Sequence, residues 1–268
     1  MEFRTIVDIS KPPFLIEPLE EMLFVGSCFA DAIGQRFAEE RFRAVVNPFG
    51  VMYNPASVLH AIERYDGPAP RVVFITLGTN HVYRLKETGE IVDNCQKRPA
   101  TLFQEEVLSV AECASYLQQA VEVLMARRAD VRVVITVSPI RYRKYGYHES
   151  QLSKAVLLMA ADSLCNRPAL PVTYFPAYEI ILDELRDYRF YQEDMLHPSP
   201  QAVDYIWERL QDSYFSDDAK QFLKEWQPLK RVLHHRPFNP DSEEYRELMD
   251  KTMLKVDALL KKYRTFAL

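Results

Sequence analysis

Five short apolar runs, each followed by a helical or turn-rich segment, constrain this 268-residue chain more than any other feature. They are MLFVG at 22–26, FRAVV at 42–46, RVVFITLG at 71–78, VRVVITVSP at 131–139 and PVTYFP at 171–176. The runs are continuous rather than alternating, as in strands buried on both faces. Parallel strands need crossover connections, and those crossovers place helices on both faces of the sheet. The expected fold class is therefore α/β: a three-layer α/β/α sandwich around a five-stranded parallel sheet. In such sheets the loops at the carboxyl ends of the strands form the binding crevice.

Between these runs the spacing predicts helices from about residue 28, from Pro55, over 103–128, over 151–166 and over 200–214, with Ser199 as N-cap and Pro200 as first helical residue. HVYRLKETGEIVDN after residue 80 reads as a β-hairpin turning at Thr88 and Gly89. From residue 216 onward there is no strand signal. A helix over 217–228 and a final helix, with Asp241 and Glu244 placed like a capping box, give an appended helical segment. The chain thus divides into a sheet domain over 1–215 and a C-terminal helical extension over 216–268. The sequence sets neither whether the hairpin at 81–93 or the extension covers a strand-end site nor the oligomeric state.

Composition excludes several function classes. With 48% hydrophobic residues the chain buries a substantial core, and a net charge of −5 with scattered basic residues argues against a nucleic-acid partner. No apolar run reaches membrane-spanning or signal-peptide length, so with Met1 as the start the expected location is cytoplasmic, with no membrane partner. Cys28, Cys95, Cys113 and Cys165 are far apart in sequence, which predicts reduced thiols, and no metal or other cofactor is expected.

The polar residues that carry chemistry fall on the strand-end loops. Ser27 and Cys28 follow the first strand at a helix start, where unpaired amides and the helix dipole favour negative charge. A serine there serves equally as an N-cap or as a nucleophile. Gly50 follows the second strand, Gly78 and Asn80 the third, and Asp194 and His197 lie in the last loop. An Asp-x-x-His turn lets the carboxylate hold the near ring nitrogen and leaves the far one free. Nucleophile, imidazole, orienting carboxylate and N–H donors are the parts of an acyl-transfer site. Asn47, Tyr53, Asn54, His81 and Arg141, with Tyr83, Asn94, Lys97, Tyr145, Arg189 and Tyr191 around them, make the surroundings polar and aromatic. Such a lining suits a small-molecule or glycan acyl ester.

The order of these motifs resembles that of the SGNH/GDSL hydrolase superfamily, whose domain is flavodoxin-like. VGSCFADAIG, NPFGVMYNP, TLGTN, TVSPIR and EDMLHPS resemble its GSCFA branch over about residues 20–215. The resemblance implies Ser27 as nucleophile, His197 as base and Asp194 as its orienter. It also implies an oxyanion hole formed by the amides of Ser27 and Gly50 and the side chain of Asn80. The superfamily's usual Gly-Asp-Ser is replaced here, and anchoring on Gly26 instead puts Cys28 in the nucleophile position. Ser27 is preferred because residue 28 begins the apolar helical face and free cysteine is commonly a small buried hydrophobe. Asn80 is followed by His81 rather than the usual acid. The implied activity is that of a serine esterase working through an acyl-serine; an O-acyltransferase with the same triad and a non-catalytic binding module are the alternatives.

Overall fold

The computed structural model describes residues 4–239 and 241–264. Its main sheet contains β1 (Glu21–Gly26), β2 (Arg43–Val46), β3 (Val72–Leu77), β7 (Arg132–Val137) and β8 (Val172–Tyr174), in the order β2-β1-β3-β7-β8. Every pairing is parallel. Within β1, Met22 and Phe24 face one side and Leu23 and Val25 the other, and all four are buried. The first face packs against α1 (Cys28–Glu39) and α6 (Pro200–Tyr214) through Phe37, Trp207 and Phe215. The second packs against α2 (Pro55–Arg64), α3 (Val110–Arg127) and α4 (Gly146–Cys165). The five-stranded parallel sandwich expected from the apolar runs is thus the architecture observed.

A second, antiparallel sheet of β4 (His81–Leu85), β5 (Ile91–Val92) and β6 (Phe103–Val107) stands beside the first. β6 corrects the helix expected over 103–128, which begins only at Val110, capped by Ser109 and Glu112. Phe103–Val107 has the Gln and Glu of a good helix former, but pairing with β4 over its full length overrides that preference. α4, in contrast, starts earlier than expected, at Gly146, where the chain turns through a positive φ of 85°. A short helix, α5 (Ala177–Glu179), continues as a π-turn over Ile180–Leu185.

The C-terminal segment forms α7 (Asp217–Leu233) and α8 (Glu243–Tyr263). α7 continues past the expected end at 228 with Pro228 inside it, and α8 is capped by Ser242 rather than Asp241. Phe222, Leu223 and Trp226 of α7 enter the same core as Phe37 and Phe42, and Thr252, Val256, Leu259 and Tyr263 of α8 are buried with them. Leu248 and Met253 of α8 remain exposed. The part of the expected extension at 240 and 265–268 lies outside the described residues. No helix among the described residues is long and apolar enough to cross a membrane.

Candidate active site

β1 and β3 are neighbours whose next partners lie on opposite sides, so the order reverses between them and opens a crevice beyond their carboxyl ends. Gly26 ends β1 at φ 142°, and a Cβ there would lie 2.1 Å from the Thr76 carbonyl oxygen. The turn into α1 is therefore pressed against β3. Asn47 holds it from the other side: its Oδ1 accepts the Gly26 amide at 2.9 Å and its Nδ2 donates to Asp31 at 2.7 Å.

This turn separates Ser27 from Cys28. Ser27 is 1% exposed; its Oγ accepts the Phe29 amide, as an N-cap does, and shares a 3.0 Å hydrogen bond with Thr76 Oγ1. Its own amide donates to the Thr76 carbonyl at 2.9 Å. Both its hydroxyl and its amide are thus spent within the fold. Cys28, one residue on, is partly exposed and lies 3.7 Å from the Tyr53 hydroxyl through its sulfur. Burial, reinforced by the contact with Cys28, pushes the Tyr53 phenol up to about 12, so it remains a proton donor at neutral pH.

The Asp194–His197 turn closes on itself. Asp194 Oδ1 accepts the amides of Leu196 and His197 at 2.8 and 3.0 Å, and Oδ2 meets His197 Nδ1 at 2.5 Å. These hydrogen bonds, first that of the His197 amide, hold the exposed Asp194 carboxyl down to about 2. Arg141 fastens this turn to the loop after β7: its amide donates to the Leu196 carbonyl and its Nη1 to that of Met195, each at 3.0 Å. Its guanidinium lies over the rings of Tyr147, Tyr191 and Tyr188.

A cleft of about 370 Å³ is lined by both Cys28 and His197, together with Ile140, Gln192 and the exposed face of α1. Ser27, Gly50 and Asn80 are not in its wall. The Gly50 amide donates to the Asn47 carbonyl at 2.8 Å, and Gly50 borders a separate cleft beside Asp93. Asn80 is 1% exposed and its Nδ2 donates to the Leu108 carbonyl at 2.7 Å. The amides of Ser27 and Gly50 and one of the two N–H groups of the Asn80 side chain thus each have a partner within the fold. Asn54 is the N-cap of α2, and His81 stacks on Tyr145 at 3.9 Å, with its pKa lowered by burial.

Sequence reasoning passed over Lys154. It is 2% exposed on α4, and its ammonium donates to the carbonyls of Gly78 and Ser138, each at 2.8 Å, tying the ends of β3 and β7 together. Its neighbour Ser153 accepts the Asn80 amide. The available signal was a lysine on the apolar face of a helix, in register with Leu157, Ala161 and Leu164.

The GSCFA family profile matches residues 21–71 and 68–210, and that of the GSCFA domain protein, C-terminal domain, matches 226–268. The chain belongs to the GSCFA family. A comparison with curated proteins finds no match. Among solved structures, this GSCFA chain is similar to an acetyl esterase mutant with an acetate ion, at 11% identity and a TM-score of 0.44. It is also similar to a carbohydrate esterase family 3 protein from Talaromyces cellulolyticus (10%, 0.43) and to a catalytic mutant of an acetylxylan esterase from Geobacillus stearothermophilus (15%, 0.44). Each of the three likenesses covers 76% of this chain and 98% of the other. All four GSCFA cysteines are free, and no group of three or more His, Cys, Asp or Glu among the described residues is arranged to hold a metal ion.

Proposed function

We propose that this chain is an acyl-ester hydrolase of the SGNH type in which Cys28, rather than Ser27, is the nucleophile. One observation carries the reading: Cys28 opens onto the cleft that His197 lines, whereas Ser27 is buried with its hydroxyl and amide both bonded. His197, held by Asp194 through Nδ1, takes the thiol proton on Nε2. The thiolate then attacks the acyl carbon, and negative charge develops on the carbonyl oxygen.

That charge falls at the start of α1. The Phe29 amide is taken by Ser27 Oγ and the Ala30 amide by the Ser27 carbonyl, which leaves the Cys28 amide at the positive end of the helix dipole. The Tyr53 hydroxyl stands beside the sulfur as a further donor. Collapse of the intermediate breaks the ester C–O bond, His197 gives its proton to the departing alcohol, and a thioester remains on Cys28. Water, deprotonated by His197, adds to the thioester carbonyl; the C–S bond breaks, the acid is released and the thiol is restored.

The test is hydrolysis of a short activated ester by the wild type and by Ser27→Ala, Cys28→Ala and His197→Ala, each checked for folding by circular dichroism. Cys28→Ala and His197→Ala are expected to lose about 10²-fold or more, and intact-mass analysis should find the acyl group on the wild type but not on Cys28→Ala. Ser27→Ala should lose about 1 kcal/mol of stability as a removed cap and remain active. Activity that survives in Cys28→Ala and vanishes in folded Ser27→Ala would refute the assignment.

A further inference from the structure

The cleft at Cys28 does not end at the reacting groups. From Cys28 it continues along α1 past Phe29 and Ala32, facing Pro200 and Val203 of α6, and reaches Arg36. Positions 28, 32 and 36 recur every four residues, so one face of the helix forms the floor. Between His197 and Arg36 the lining is mostly apolar, with Gln35 and Gln192 as its uncharged polar members. At the far end the chemistry reverses, because Arg36, which lines the groove, is paired with Asp204 of α6 and has Glu39 beside it.

We propose that this groove holds the acyl chain of the substrate, extended along α1 with its carbonyl at Cys28, and that the Arg36–Asp204 pair sets its maximum length. The inference rests on the reading of Cys28 as nucleophile. A helix rises 1.5 Å per residue, so about 12 Å separates the levels of Cys28 and Arg36, which is room for an extended chain of up to roughly nine carbons. A longer chain would have to displace or desolvate a charged pair to stay buried. The substrate class is accordingly a medium-chain acyl ester. The alcohol leaves toward His197 and the aromatic loops, away from the groove.

Two variants act in opposite directions. Ala32→Phe fills the middle of the groove; Arg36→Leu extends its apolar part. The experiment measures kcat/KM for p-nitrophenyl acetate, butyrate, hexanoate, octanoate and dodecanoate with the wild type and both variants. In the wild type each added methylene should raise kcat/KM by up to about fourfold until the chain reaches Arg36, the factor that follows from about 0.8 kcal/mol per buried CH₂. Ala32→Phe should lower the ratio of octanoate to acetate by about tenfold or more, and Arg36→Leu should move the optimum to longer chains. These ratios within one variant are independent of the fraction folded, and a gain for dodecanoate cannot come from misfolding.

The proposal is overturned if kcat/KM falls steadily from acetate onward while Cys28→Ala still abolishes acetate turnover. It is overturned equally if selectivity follows the alcohol, measured with acetate esters of alcohols of increasing length. If Cys28→Ala leaves acetate turnover intact, it is the nucleophile assignment that fails.

Discussion

Lys154 has an ammonium that is 2% exposed and is held by two backbone carbonyls, and burial depresses its pKa from 10.5 to about 7. The folded protein therefore releases this proton near pH 7, whereas the unfolded chain keeps it until pH 10.5. Between those values the unfolded state binds more protons, so stability must rise with pH through this window and level off below it. Taking about 7 for the folded state and the model-compound value for the unfolded one, the gain between about pH 6.5 and pH 8.5 is roughly 2 kcal/mol. Lys154→Met removes the titration while keeping most of the side-chain volume. Urea unfolding of the two proteins across this range should give stability curves that converge or cross with that difference in slope, whatever their offset. Other titrating groups are common to both proteins and cancel in the comparison. Parallel curves would refute the argument that the ammonium is desolvated in the fold.

Three further predictions follow from contacts. Gly26→Ala would bring a Cβ to 2.1 Å from the Thr76 carbonyl oxygen and 2.7 Å from its hydroxyl, so a loss of more than about 4 kcal/mol or of soluble protein is expected; normal thermal unfolding would contradict the close approach. Asp194→Asn removes the carboxylate that holds His197 Nδ1, and should lower ester turnover by about 10²-fold with an unchanged circular dichroism spectrum; a loss under about tenfold would reduce Asp194 to a loop-bonding role. Phe222→Ala deletes a ring that is 0% exposed and packed edge-on against Phe42 and Tyr263, at an expected cost of about 3–5 kcal/mol in denaturant unfolding. A cost below about 1 kcal/mol would show that α7 does not share the core of the sheet.

The amino-acid sequence by itself determined the parallel sheet, because strands buried on both faces write a continuous apolar run that needs no distant information. It determined the Asp194–His197 turn for the same reason: three residues and their local amides suffice to close it. The strand at 103–107 was not legible, since its partner is β4 and its own residues prefer a helix. The surroundings of Ser27 and Cys28 were decided only in three dimensions. At a strand-to-helix junction, adjacent residues point in different directions, and Thr76 of the neighbouring strand takes both the amide and the hydroxyl of Ser27. Asn80 was decided likewise by the Leu108 carbonyl, and Lys154 by two strand ends it could meet only after the sheet had formed. Local chemistry specifies which groups are available; which of them face a substrate depends on what the neighbouring strands and loops have already satisfied.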